Sequence, residues 1–125
     1  MAPNSSSFSV NLGRGYPRFN PGEFSIEGVL EREEVDACVI VGSETLAQLS
    51  PAALAHLRSI PSIILDYPAV DSIVPPAVHF TTAIYGMHRA GTAYRMDEIP
   101  IPLRKILPSE YPSDDEVLVE IQKRL

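Results

Sequence analysis

Short apolar runs, cut apart by proline, set the pattern of this chain. The run VDACVIVGSET (35–45) is almost continuous in Val, Ile and Ala and closes on Gly42-Ser43. Its β-branched bias predicts a strand buried on both faces. In LSPAALAHLRSI, Ser50 suits an N-cap, Pro51 the first turn, and Leu54 with Leu57 the inward face of a helix. Pro61 ends that helix, and SIILD (62–66) predicts a second buried strand. A proline-broken connection from Tyr67 leads to a third strand expected near 77–84.

The two ends read differently. Residues 1–22 are expected to be irregular, with a short strand at SFSVNL and a shaped loop in GRGYPRFNPGEF. Asn20 then reads as an N-cap, with Pro21 at the first helical position and Glu23 three residues after the cap. The helix it opens has Phe24, Ile26, Val29 and Leu30 as its apolar positions, weakened by Gly28 by about 1 kcal/mol relative to Ala. At the other end, PSDDEVLVEIQKRL places Ser113 as N-cap and Glu116 at the capping-box position. Acidic residues fill the first turn and basic ones the last, as the helix dipole favours.

Strand, helix and strand with a crossover of about 18 residues make a βαβ unit, in which pairing is parallel and the crossover right-handed. The expected fold is α/β: a small, mostly parallel sheet with helices packed on it, of Rossmann-like dinucleotide-binding type. The domain is expected over 23–125, after the irregular segment 1–22.

Composition narrows the function. The chain has 125 residues and a net charge of −6, with its ten Lys and Arg scattered, which excludes a phosphate-neutralising nucleic-acid surface. No apolar run reaches the roughly 18 residues of a membrane span. The N-terminus carries no basic and apolar leader, so the expected compartment is the cytoplasm. A single cysteine, Cys38, excludes a disulfide framework or a cysteine-held metal or iron–sulfur site, and lies mid-strand as a structural thiol. Twelve prolines forbid long elements.

Ligands in open parallel sheets bind beyond the carboxyl ends of the strands. Those ends are Gly42, Ser43 and Glu44, then Asp66, and, past Gly86, the stretch GTAYRMD (91–97). Gly42 allows close backbone approach, Ser43 and Thr45 offer hydroxyls, and Asp66 offers a carboxylate. A plain turn after the first strand and a local cap at Asp66 are the more frequent uses of such residues. In GTAYRMDEIPI, a hairpin turn closed by an Arg95–Asp97 pair stands against a ligand loop. His56 reads as facing solvent or half-covering the core, His79 as a satisfied core or edge histidine, and His88 is the one histidine near a candidate site. Neither a phosphate-loop signature nor an acid–base set is present, so the chain reads as a binding module.

Four stretches, RGYPRFNPGEF (14–24), EVDACVIVGSE (34–44), AIYGMHRAGTAYRMDEIPIPLRK (83–105) and YPSDDEVL (111–118), resemble the C-terminal end of formylmethanofuran dehydrogenase B subunits. The resemblance implies a molybdopterin oxidoreductase with tungsten or molybdenum held by bis-molybdopterin guanine dinucleotide. It implies an iron–sulfur cluster, metal-ligating cysteine and catalytic histidine upstream of this stretch. It also implies carbon dioxide reduction to formate, which a partner subunit attaches to methanofuran in the first step of methanogenesis. The implied partners are the remainder of the same subunit and the other subunits of the complex, without nucleic acid or membrane insertion. The chain would then be the cofactor-binding α/β domain, inactive alone, with Gly42, Ser43, Glu44, Asp66, Gly91, Thr92, Arg95 and Asp97 at the cofactor. Glu44 is one methylene longer than the family's acid, His88 and Arg89 replace acidic or small residues, and Glu98 stands where glycine is expected. The other class of function is an assembly domain, with GYPRFNPGEF as its docking loop.

Overall fold

The computed structural model describes residues 10–11, 14–16, 18–19 and 25–125. They form two compact units. The described residues up to Cys38, with Glu44–Ser62 and Ser72–Ala77, make one; Val39–Ser43, Ile63–Asp71 and Val78–Leu125 make the other.

In the first unit, β1 (Val10–Asn11) and β2 (Arg18–Phe19) pair antiparallel, so part of the expected irregular segment is a minimal ladder. Helix α1 (Ile26–Glu31) is capped by Ser25, whose side chain accepts from the Gly28 N–H at 3.1 Å. The expected cap Asn20, with Pro21 and Phe24, lies outside the described residues. Helix α2 (Pro51–Ser59) follows the sequence reading closely, with the Ser50 side chain accepting from the Ala53 N–H. Ala53, rather than Leu54, joins Leu57 on the buried face; Leu54 is only half-buried. The two helices are stitched together at this cap. Ser50 donates its N–H to Glu27 at 3.0 Å and its hydroxyl to Glu31 at 2.6 Å. Leu30, Leu46, Ala53, Leu57 and Val74 are the buried apolar residues of this unit. Leu46 belongs to a 3-10 helix over Glu44–Gln48, which the sequence did not announce.

The second unit carries most of a three-stranded sheet in the order β3 (Cys38–Val41), β4 (Ser62–Asp66), β5 (Val78–Thr81). Strands β4 and β5 are parallel, in register from Ile63–Val78 to Asp66–Thr81. The Cys38 N–H donates to the Pro61 carbonyl and the Gly42 N–H to the Leu65 carbonyl, a step of four residues in the same direction on both strands. That is the parallel pattern. Ile40, Ile64, Leu65, Ala83 and Val117 are its buried apolar residues.

One expectation fails here. Strand β3 is not buried on both faces: Val39 and Val41 remain 53% and 51% exposed, while Ile40 between them is buried. A continuous apolar run is compatible with burial on both faces but does not supply the layer that would cover the second one.

Two further elements complete the unit. Strands β6 (Gly91–Tyr94) and β7 (Pro100–Leu103) form an antiparallel hairpin. The Arg95 N–H donates to the Ile99 carbonyl at 3.0 Å, which makes these two a bonded pair. By alternation Ala93–Ile101 and Gly91–Leu103 also carry ladder bonds, and Pro100 and Pro102 fall at the intervening positions. Proline has no N–H, so these are the positions in β7 it can occupy without breaking the hairpin. Helix α3 (Asp114–Gln122) opens with the expected Ser113–Glu116 capping box, the Ser113 N–H reaching Glu116 at 2.9 Å.

Candidate functional site

Beyond the carboxyl ends of the three strands lies an open cleft of about 160 Å³, lined by Gly42, Asp66, Thr82, Tyr85 and Asp114 among others. Gly42 stands at φ +78° with open space where a Cβ would project. The backbone there must turn in the left-handed region, and glycine does so without steric cost.

Ser43 and Asp66 meet as a pair. The Ser43 N–H donates to one Asp66 oxygen at 2.9 Å and the Ser43 hydroxyl to the other at 2.5 Å. Asp66 is 2% exposed, and its backbone carbonyl accepts from the Thr82 N–H at 2.7 Å. Both carboxylate oxygens therefore hold the turn after β3 in place. The strand-end aspartate serves as a clip between two strand ends. Glu44, next along the chain, is exposed at the start of the 3-10 helix, in the other unit.

The GTAYRMD stretch is β6 and the tip of the hairpin. Glu98 donates its N–H to the Arg95 carbonyl and adopts φ +62°. A tight turn followed by one left-handed residue, closing a three-residue loop, is a common hairpin connection in which that residue is usually glycine. Glycine expected at Glu98 thus has a backbone reason. Arg95 pairs with Asp97 at 2.9 Å, both exposed, and Thr92 is exposed on β6. Tyr94 to Asp97 border a shallow hollow of their own at the tip. Gly91 is packed closely: a Cβ there would lie 3.0 Å from the Tyr85 ring.

Tyr85, which the sequence reading passed over, joins the two motif stretches, since it lines the cleft and covers Gly91. Its hydroxyl donates to Asp115 at 2.6 Å. That bond, with some burial, raises the Tyr85 phenol, while Ser113 and then Tyr85 hold the Asp115 carboxyl below its usual range. Asp114 was also missed, because an acid in a helix's first turn is explained by the dipole alone.

Two of the three histidines bond to backbone groups. His56 donates from Nε2 to the Val35 carbonyl at 2.8 Å, His88 accepts at Nδ1 from the Ile84 N–H, and His79 is exposed on β5. Cys38 is half-buried, and desolvation raises its thiol. Among the described residues there is no group of three or more His, Cys, Asp or Glu that could hold a metal ion. No helix among them is long and apolar enough to cross a membrane.

A three-stranded sheet with parallel pairing and helices beside it defines a small α/β protein. Comparison with known proteins then gives a particular relationship. Over 120 residues, 94% of this chain, it is 37% identical to the B subunit of tungsten-containing formylmethanofuran dehydrogenase 2 from Methanococcus maripaludis. It is 35% identical over the same length to the protein of that name from Methanocaldococcus jannaschii. The chain spans 28% of the length of these homologues. Its fold is similar to that of a chain in the formyltransferase/hydrolase complex of Methylorubrum extorquens, solved with methylofuran. The TM-score is 0.70 at 22% identity, covering 92% of this chain and 32% of that one. No protein-family model matches.

Proposed function

We propose that the chain is the C-terminal cofactor-binding domain of a formylmethanofuran dehydrogenase B subunit. In that enzyme carbon dioxide is reduced to formate for attachment to methanofuran, the first step of methanogenesis. The cofactor is bis-molybdopterin guanine dinucleotide carrying tungsten or molybdenum, which supplies the two-electron chemistry when bound. The remainder of the subunit carries the iron–sulfur cluster and the metal ligands, so this chain alone is inactive.

One observation carries the reading. Tyr85 lines the cleft that holds Gly42 and packs on Gly91, which ties the two motif stretches to a common neighbourhood. The residues fit the cofactor in part. The open left-handed turn at Gly42 can receive a backbone-hugging group, and Arg95 with Thr92 offers exposed donors for phosphate or pterin oxygens. Asp97 orients Arg95 until a ligand takes its place. Ser43 and Asp66 contribute by fixing the turn, and Glu44 is the next residue in sequence. The cleft itself is too small for a dinucleotide, so it would take one end of the group at most.

The test is cofactor content. Arg95→Ala in the full-length subunit should lose bound pterin while the subunit remains folded; full cofactor content would overturn the assignment of the hairpin. With the 125-residue chain, a guanine nucleotide should raise the melting temperature.

A second reading is favoured by the hairpin arm, where Tyr94, Met96, Ile99 and Ile101 are all exposed and Met96 is wholly so at 102%. An apolar arm of this kind suits an assembly domain that docks neighbouring subunits. Of the loop GYPRFNPGEF, Pro17 and residues 20–24 lie outside the described residues. Thermal stabilisation by nucleotide separates the readings, because assembly alone does not require it.

A further inference from the structure

The hairpin of β6 and β7 is a ladder of two strands with one rim unused. The ladder bonds of β6 run through Gly91 and Ala93, and Arg95 bonds to Ile99 beyond them. The N–H and C=O groups of Thr92 and Tyr94 therefore point away from β7. Both residues are exposed, and among the described residues β6 pairs with no strand but β7. Strand β7 has proline at both of its outward positions, so β6 is the rim able to take another strand. A ladder of two strands is marginal in water, and further strands stabilise it.

The length of the rim says which strand fits. An antiparallel copy of β6 centred on Ala93 sets Thr92 against Tyr94 of the second copy, and Tyr94 against its Thr92. Each such pair exchanges two bonds, so four bonds use every outward group of both strands. Centred on Thr92 or on Tyr94 instead, the strands make one such pair and leave the other groups unbonded.

The same register brings a charge match. Gly91, Ala93 and Arg95 share one face of β6, and Gly91 would stand opposite Arg95 of the second copy. The Tyr85 ring packs over Gly91, 3.0 Å from where a Cβ would lie. Arg95 of the second copy thus arrives beside that ring, whose hydroxyl is bonded to Asp115 in the acidic first turn of α3. A guanidinium on an aromatic ring with a carboxylate at its far end is favourable. Two-fold symmetry makes the contact twice.

We propose that two copies of this chain pair through antiparallel β6 strands centred on Ala93, with Arg95 of each copy against Tyr85 of the other. The inference goes beyond both readings of the function and rests on neither.

Sedimentation equilibrium of the 125-residue chain tests it, with disulfide trapping as the check on register. So small an interface is weak, with a Kd of about 100 μM expected, so the chain is loaded to about 1 mM. Thr92→Pro removes one outward N–H per copy without touching the hairpin's own bonds and should weaken pairing at least about tenfold. Thr92→Val keeps that N–H and should pair as the parent does. Arg95→Glu should also weaken pairing, and Arg95→Lys should recover part of it. In a Cys38→Ala background, Ala93→Cys should cross-link to itself on mild oxidation, since facing Cα atoms at a non-bonded pair lie about 4.5 Å apart. Thr92→Cys should not, because its counterpart is Tyr94. A chain monomeric at about 1 mM, a dimer unaffected by Thr92→Pro, or a dimer in which Thr92→Cys cross-links and Ala93→Cys does not would overturn the proposal. Should Thr92→Pro fail to fold, the cross-linking result decides alone. A monomer stabilised by guanine nucleotide would leave the cofactor reading standing while removing this one.

Discussion

Ser43 donates to both carboxylate oxygens of Asp66 from 23 residues away in sequence, and both residues are buried. The pair closes the turn after β3 against the end of β4. Asp66→Ala leaves a buried N–H and hydroxyl without acceptors and should cost about 3 kcal/mol in denaturant unfolding. Ser43→Ala removes one donor and should cost about 1–2 kcal/mol. A double-mutant cycle should show strong coupling; additive losses would mean that the contact contributes little.

Glu98 is strained at φ +62°. Glu98→Gly relieves about 1–2 kcal/mol of left-handed strain and gives back up to about 1 kcal/mol through the more flexible unfolded chain. A net gain of about 1 kcal/mol is expected, read as a higher unfolding midpoint at unchanged slope.

Arg95→Ala should change the stability of the chain by less than about 1 kcal/mol, because the Arg95–Asp97 pair is exposed. A loss above about 3 kcal/mol on equilibrium unfolding would mark the arginine as a structural member of the hairpin.

Ser62 is buried with an unpartnered hydroxyl. Ser62→Ala removes a desolvated polar group without opening a large cavity and should stabilise the protein by about 1 kcal/mol. Thermal and denaturant unfolding should agree on the sign.

Burial raises the Cys38 thiol, so the thiolate fraction at mildly alkaline pH is lower than that of a free cysteine. Alkylation should be slower than in the unfolded chain and should accelerate at a higher pH. The linked stability has the same sense. It is fully present below the unfolded thiol's pKa and is lost as pH rises through the folded value. A rate equal to that of free thiol would show that the strand opens readily.

Local chemistry was legible in the sequence, whereas side-chain pairing and coverage between distant segments were not. Ser50 with Pro51, and Ser113 with Glu116, announce α2 and α3 because a cap and its partner lie within four residues. The parallel pairing of β3 and β4 follows from the length of their crossover. The exposure of Val39 and Val41 depends on what covers a face, which no run of residues encodes. Asp66 reads as a ligand or a cap in sequence, and its partner, Ser43, stands 23 residues away in the turn after β3. Tyr85 gave no signal at all, since its role lies in what it covers, Gly91, and in where it stands, beside the cleft.

The two prolines of β7 make the hairpin arm directional. Its outer rim offers the carbonyls of Pro100 and Pro102 but no N–H, so an incoming strand finds acceptors there without donors. The opposite rim, at Thr92 and Tyr94, keeps both groups. Two arms could join along their β6 rims, and the resulting ribbon would then present proline at each margin. Edge-to-edge growth halts at that point, so an arm as apolar as this one can stay exposed without seeding fibrils.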